Sequence, residues 1–374
     1  MRFWLILVSA VVAGLSTTVA GAPPMVNLRE AFADTKARLR RGQTANVLVL
    51  GDSLSFNPGS YLPVFRQRLQ QVYGNAGYGY QGLSLWTGGA FNQGWTHSGL
   101  NSDYPPHHSL DGLWNEYDGE SAWPNSADVY PHDRTVQIHY LKGPERGSFD
   151  IRLGTSGPVV ATIRTDSADF GVGTFSLTLP AVPTGQAAFS YHPHRNGPVA
   201  ILGHVSQSDQ PGIRIHRAAN GGWGVKNFLW RNSTFDQQLG LLDPDLVMIW
   251  LGQNDQSETR TSYAMRIGQL VDRLRAGAPS SEIVLVGTYN QGSAALPELV
   301  EGMFDVATQR GLGFINLYRV AGTPRFFELN GLLSDGIHFT PAGGSYFGNL
   351  LAEAFLTDGR SLIGRDFIRQ FELA

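Results

Sequence analysis

The 374-residue sequence contains no cysteine. Disulfides and thiolate metal sites are therefore excluded, and so is a cysteine nucleophile. Ser, Thr, a carboxylate or a metal-bound water remain for hydrolytic chemistry. Charge is also scarce. Only 16% of residues are charged, the formal net charge is −3 and no basic run occurs, which argues against nucleic acid or an anionic membrane as partner. Beyond the N-terminus no apolar run is long enough to span a bilayer. No internal repeat or low-complexity tract is visible.

What the chain does have is 42% hydrophobic residues, 45 glycines and 20 prolines, the composition of a globular protein rich in turns. Its length allows two domains, or one domain with a large insertion. At the N-terminus Arg2 precedes the apolar stretch Phe3 to Leu15 and the small residues Thr18-Val19-Ala20. This reads as a signal peptide over residues 1–20 cleaved after Ala20, so the protein is expected to be exported, to the periplasm or the medium.

Val47 to Ser55 reads VLVLGDSLS. Four aliphatic residues suit a buried parallel strand, Gly51 permits a sharp turn, and Ser53 follows at the strand's carboxyl end. Residues 26–41 carry helical apolar spacing before this strand. A helix follows at about 61–73, with Leu62, Phe65, Leu69 and Val72 on one face. From 74 to 121 no period survives, so that stretch is expected to be loop, rich in Gly and aromatics. Between 135 and 207, VQIHYL, FDIRL, VVATIRT, GTFSLTL, QAAFSYH and VAILGHV alternate as six short strands, the pattern of a β-sandwich or jelly roll.

The α/β rhythm then returns. Strands are expected at Ile213–His216, Leu246–Leu251, Ile283–Val286 and Gly313–Leu317, with helices at about 261–275, 296–310 and 341–355. The expected fold is a three-layer, doubly wound parallel sheet interrupted by a β-sandwich. Its expected divisions are 26–92 and 212–357 for the α/β domain, 93–211 for the insertion and 358–374 for a tail.

Ser53, the Asn220-Gly221-Gly222 turn, Asn254 and the pair Asp335/His338 all fall in loops after strands of this sheet, which share one edge. Acyl transfer needs such a set: a nucleophilic hydroxyl, a histidine to take its proton, a carboxylate to orient the histidine, and donors for the oxyanion. The Asp/His pair alone is a sparse metal set, and no His-Glu-x-x-His motif accompanies it. His107-His108 and His192/His194 lie in expected loops or turns and read as solvated. No metal and no cofactor is expected.

Gly51-Asp52-Ser53-Leu54, Gly252-Gln253-Asn254-Asp255 and Asp335-Gly336-Ile337-His338 resemble the first, third and last blocks of the GDSL, or SGNH, hydrolase superfamily. The second block is weaker; in HRAANGGWGVKNFL its glycine aligns with Gly222, with Gly224 as rival. The resemblance covers about 26–92 and 212–357. It implies a flavodoxin-like fold, Ser53 as nucleophile, His338 as general base and Asp335 as its orienting partner. Ser53 N–H, Gly222 N–H and the Asn254 amide would form the oxyanion hole.

The insertion between the first two blocks is similar to that of bacterial peptidoglycan O-acetylesterases. Trp86, Trp95, Trp114, Trp123, Tyr78, Tyr80 and Tyr104 crowd the adjoining stretch, either to stack on sugar or to weld the insertion to the core. Trp223 is the ring expected nearest substrate. The expected activity is removal of O-acetyl or other short acyl groups from a carbohydrate such as peptidoglycan. A lipase or thioesterase, an acetyl transferase, and a glycan-binding protein on an inactive scaffold are the alternatives.

Overall fold

The chain is described from a computed structural model covering residues 21–365 except 58, 83–88, 92–94, 98–108, 120–126, 130–132, 181–187 and 231–232. The signal peptide expected over residues 1–20 and the last part of the expected tail, 366–374, lie outside the described residues. At the centre of the fold lies β1 (Ala45–Gly51), in which Val47 to Leu50 are wholly buried. Val47 and Val49 face one apolar cluster while Leu48 and Leu50 face another. That continuous run of aliphatics fits a strand covered on both faces. Parallel to it run β2 (Ile213–Ala219), β3 (Leu246–Trp250), β4 (Glu282–Gly287) and β5 (Gly313–Asn316). Their spatial order is β2-β1-β3-β4-β5.

This is the flavodoxin-like order, and its switch point lies between β1 and β3, the two strands that lead to Ser53 and Asn254. On one face lie α1 (Leu62–Tyr73) and α4 (Pro341–Thr357), and on the other α2 (Arg260–Gly277) and α3 (Leu296–Arg310). Helices α1, α3 and α4 each carry a proline in the first turn, where its missing N–H has no intrahelical partner to lose.

Several expectations are refined. The 26–41 segment opens as a strand, Met25–Val26, antiparallel to β5, and continues as two short helices, Leu28–Ala31 and Ala33–Arg40, interrupted at Phe32. Val72 is 58% exposed instead of buried, because in the last turn of α1 Tyr73 packs on the core in its stead. The 74–121 stretch contains the three-residue strands Gly79–Gln81, Gly89–Phe91, Trp95–His97 and Asn115–Tyr117.

All six strands read between 135 and 207 form, as Thr135–Lys142, Ser148–Leu153, Val159–Arg164, Gly171–Thr178, Phe189–Pro193 and Val199–Gln207. Three of them extend the central sheet. Val199–Gln207 pairs with Gly79–Gln81, which adjoins β2, and Thr135–Lys142 and Gly171–Thr178 follow. The central sheet is therefore mixed, parallel at the core and antiparallel beyond β2, rather than parallel throughout. A separate five-stranded antiparallel sheet packs over this extension, with Val136, Ile138, Phe149, Ile151, Phe189, Tyr191 and Ile201 buried between them. Among the described residues no helix is long and apolar enough to cross a membrane.

Candidate active site

Gly51 ends β1 where the chain comes closest to itself. A Cβ there would lie 2.2 Å from the Ser55 hydroxyl, so steric space rather than an unusual φ requires glycine. Asp52 then caps the short helix Ser53–Phe56, its Oδ1 accepting the Leu54 N–H at 2.9 Å. This cap leaves Ser53 at the first helical position, where its own N–H has no intrahelical acceptor.

The far end of the chain meets it. His338 Nε2 lies 2.9 Å from Ser53 Oγ, and His338 Nδ1 lies 2.7 Å from Asp335 Oδ2. Asp335 Oδ1 accepts the N–H groups of Ile337 (3.0 Å) and His338 (2.7 Å). The hydrogen bond from His338, joined by these backbone donors, holds the Asp335 carboxyl down at about 2. An ionised Asp335 is an acceptor only, so Nδ1 carries the ring proton and Nε2 is left to accept from Ser53. The loop itself is pinned: Ser334 N–H and hydroxyl both donate to the His338 carbonyl, and the Tyr289 hydroxyl donates to that of Ile337.

Across the switch point, exposed Asn254 donates its side-chain amide to the Trp223 carbonyl at 3.0 Å. The two glycines of the second block differ in surroundings. Gly222 is exposed, at φ +76°, and no hydrogen bond occupies its N–H among the described residues. Gly224 is buried, and its N–H donates to Asn227 Oδ1 at 2.9 Å. Of the two, only Gly222 has a donor to offer, which favours it over its rival.

Below this loop Asp255 accepts the Val225 N–H at 2.9 Å, and a Cβ on Gly224 would meet the same carboxylate at 2.3 Å. Asp52 and Asp255 are both buried, each with Oδ2 unpartnered. Burial raises Asp52 to about 7, with the charge of Asp255 adding to it, and raises Asp255 to about 6. Among the described residues no group of three or more His, Asp or Glu side chains is arranged to hold a metal ion.

Trp223 departs from expectation. It is 2% exposed, with Phe228 and Trp230 against its ring, and Gly112 approaches so closely that a Cβ would stand 2.1 Å from it. Its ring is a weld between insertion and core, and its contribution to the site is the carbonyl that holds Asn254. Tyr80 is likewise wholly buried, its hydroxyl on the Leu202 carbonyl, and Trp114 packs on Leu141, Ala200 and Leu202. Trp86, Tyr104, Trp123, His107 and His108 lie outside the described residues, as does the side chain of Trp95.

A second Ser-His-Asp arrangement occurs in the small sheet, which the sequence reading missed because Ser148, Asp150 and His194 fall in no motif; the His194 side chain is 41% exposed, as expected of a solvated residue. Ser148 Oγ lies 3.0 Å from His194 Nδ1, and His194 Nε2 lies 3.1 Å from Asp150 Oδ1. The Ser148 hydroxyl also accepts from Asn196 Nδ2 at 2.9 Å, and Asp150 accepts from Thr162. Ser148 is 5% exposed and opens a strand paired within the sheet. This set joins neighbouring strands to the 193–196 turn.

The sequence pattern of the GDSL-like lipase/acylhydrolase family matches residues 189–344, a span holding Gly222, Asn254, Asp335 and His338 but not Ser53. No curated protein sequence matches. Among solved structures, a peptidoglycan O-acetylesterase superposes with a TM-score of 0.72 at 16% identity, over 91% of this chain and 100% of its own. A family 3 carbohydrate esterase of Clostridium thermocellum gives a TM-score of 0.40 at 12% identity, over 86% and 100%. A GDSL-like lipase of Parabacteroides merdae gives 0.34 at 16% identity, over 38% and 73%.

Proposed function

We propose that the chain, which resembles the GDSL-like lipase/acylhydrolase family over residues 189–344 and a peptidoglycan O-acetylesterase in fold, is an exported serine esterase that removes O-acetyl or other short acyl groups from a carbohydrate. The observation that carries this reading is the hydrogen-bonded line Ser53–His338–Asp335, drawn from opposite ends of the sequence. Ser53 Oγ attacks the ester carbonyl as its proton passes to His338 Nε2, and Asp335 stabilises the imidazolium. The Ser53 and Gly222 N–H groups and the Asn254 amide receive the oxyanion, each such donor contributing about 3–4 kcal/mol. Collapse expels the sugar oxygen, which takes the proton from His338. Water, deprotonated by His338, then releases the acid and restores Ser53. The likeness of fold to a peptidoglycan O-acetylesterase supports a glycan as the alcohol part.

The Ser148 set is the less suited of the two. Asn196 already occupies its hydroxyl, which lies within a paired strand. The test compares wild type, Ser53→Ala and Ser148→Ala for acetate release from 4-nitrophenyl acetate and from O-acetylated peptidoglycan. Ser53→Ala is expected to lose roughly 10⁴-fold or more in kcat and Ser148→Ala to retain activity. The opposite pattern would transfer the chemistry to the small sheet.

A further inference from the structure

One turn of helix beyond Ser53 is a cavity of about 180 Å³ walled by Phe56, Asn57, Ser60, Arg66, Tyr78 and Arg217. Its two arginines are under-partnered. Arg66, on α1, is 5% exposed; its Nη2 donates to the Ile215 carbonyl at 3.3 Å, but its buried Nε donates to nothing. The guanidinium lies 3.5 Å from the centre of the Tyr78 ring. Arg217, on β2, has both Nε and Nη2 buried and unpartnered, and lies 5.1 Å from the Phe56 ring. Those two nitrogens form one edge of the guanidinium plane, the fork that receives both oxygens of a carboxylate.

Among the described residues no hydrogen bond reaches Arg66 Nε or Arg217 Nε and Nη2. The carboxyls nearest in charge are Asp111 and Asp133. Asp111 Oδ1 accepts from Ser109 and from the Leu113 N–H, and Asp133 Oδ2 accepts the Tyr78 N–H at 2.6 Å. Neither Arg66 nor Arg217 forms an ion pair among the described residues. Arg66 is buried and Arg217 half-buried, each feels one carboxylate charge while the two cations repel each other, and their unpartnered nitrogens belong to side chains that border a cavity with room for an anion.

The cavity is also tied to the reacting serine. Asn57 donates its N–H to the Ser53 carbonyl at 2.9 Å, and Arg217 stands two residues before Ala219, the register partner of Gly51. We propose that Arg66 and Arg217 bind a carboxylate carried by the glycan, so that the enzyme selects O-acylated acidic carbohydrates over neutral ones. The assignment rests on the esterase reading above and names its substrate class.

Wild type, Arg217→Gln and Arg217→Lys are compared on 4-nitrophenyl acetate, O-acetylated polygalacturonate and O-acetylated glucomannan. For the acidic polymer, KM is expected to rise at least tenfold in Arg217→Gln with kcat little changed, and Arg217→Lys to recover part of the loss. Neither variant is expected to alter the other two substrates. Calorimetric titration with glucuronate and with inorganic phosphate tests the site without catalysis. Glucuronate binding to wild type that is lost in folded Arg217→Gln supports the proposal. Binding of phosphate alone, or equal use of both polymers by wild type, overturns it. An enzyme inert on every ester that still binds glucuronate through Arg217 would sink the esterase reading and leave the carboxylate site standing.

Discussion

Asp52 precedes Ser53 and has no solvent to ionise into. Burial lifts its carboxyl from 3.8 to about 7, while one oxygen caps the Leu54 N–H and the other has no partner. A carboxyl raised in the folded state binds more protons there than in the unfolded chain. Its contribution to stability is complete below about pH 4 and is lost as pH rises through about 7. Asp52→Asn keeps an oxygen for Leu54 and removes the titration. The variant is therefore expected to gain on wild type as pH rises from 5 to 8, by roughly 3 kcal/mol. Melting temperatures of both proteins across that range check it, and parallel curves would show that Asp52 does not titrate there. At this scale the meeting of Ser53, Asp335 and His338 was legible, because the short blocks that hold them have a fixed internal spacing. The sequence misled at Trp223, whose burial depends on Gly112, a residue distant in the chain and in contact only once the insertion has folded.

Among the elements, the turn after β2 depends on which glycine is free and which is enclosed. Gly224→Ala would drive a Cβ to 2.3 Å from the Asp255 carboxylate and loosen the acceptor that holds the Val225 N–H. A cost of about 1–3 kcal/mol is expected, with a fall in kcat as the neighbouring Gly222 shifts. Gly240→Ala is the counterpart: it lies inside the helix Ser233–Leu242, and an added Cβ meets nothing within 4 Å. That change is expected to stabilise by about 0.5–1 kcal/mol and leave kcat alone. Thermal melts and kcat for the two variants check both signs. The long elements were legible because β1 is an unbroken aliphatic run and α3 repeats its apolar period over enough residues to define it. Gly79–Gln81 and Met25–Val26 were not, since two or three residues carry no period and form only through partners supplied by distant strands.

For the whole molecule, the decisive feature is that the insertion has no edge of its own on one side. Val199–Gln207 pairs with Gly79–Gln81, which adjoins β2, so hydrogen bonding runs unbroken from β5 to Gly171–Thr178. The sequence reading drew a sandwich set into an α/β domain, and the strands were correct. Their attachment was not legible, because alternation identifies a strand but not its neighbour. The continuity has a thermodynamic consequence. Opening the sandwich would bare the edge of Gly79–Gln81 and the Tyr80 ring, which is wholly buried and bonded to Leu202. Opening the α/β part would strip β2 and Gln238, whose amide contacts His139 of the sandwich. Neither half can melt without exposing unpaired backbone or buried polar groups of the other. Calorimetry is expected to show one transition whose calorimetric and van't Hoff enthalpies agree. Two resolved transitions, with ester hydrolysis surviving the first, would mean that the sandwich is an independent module and that the shared sheet contributes little to cooperativity.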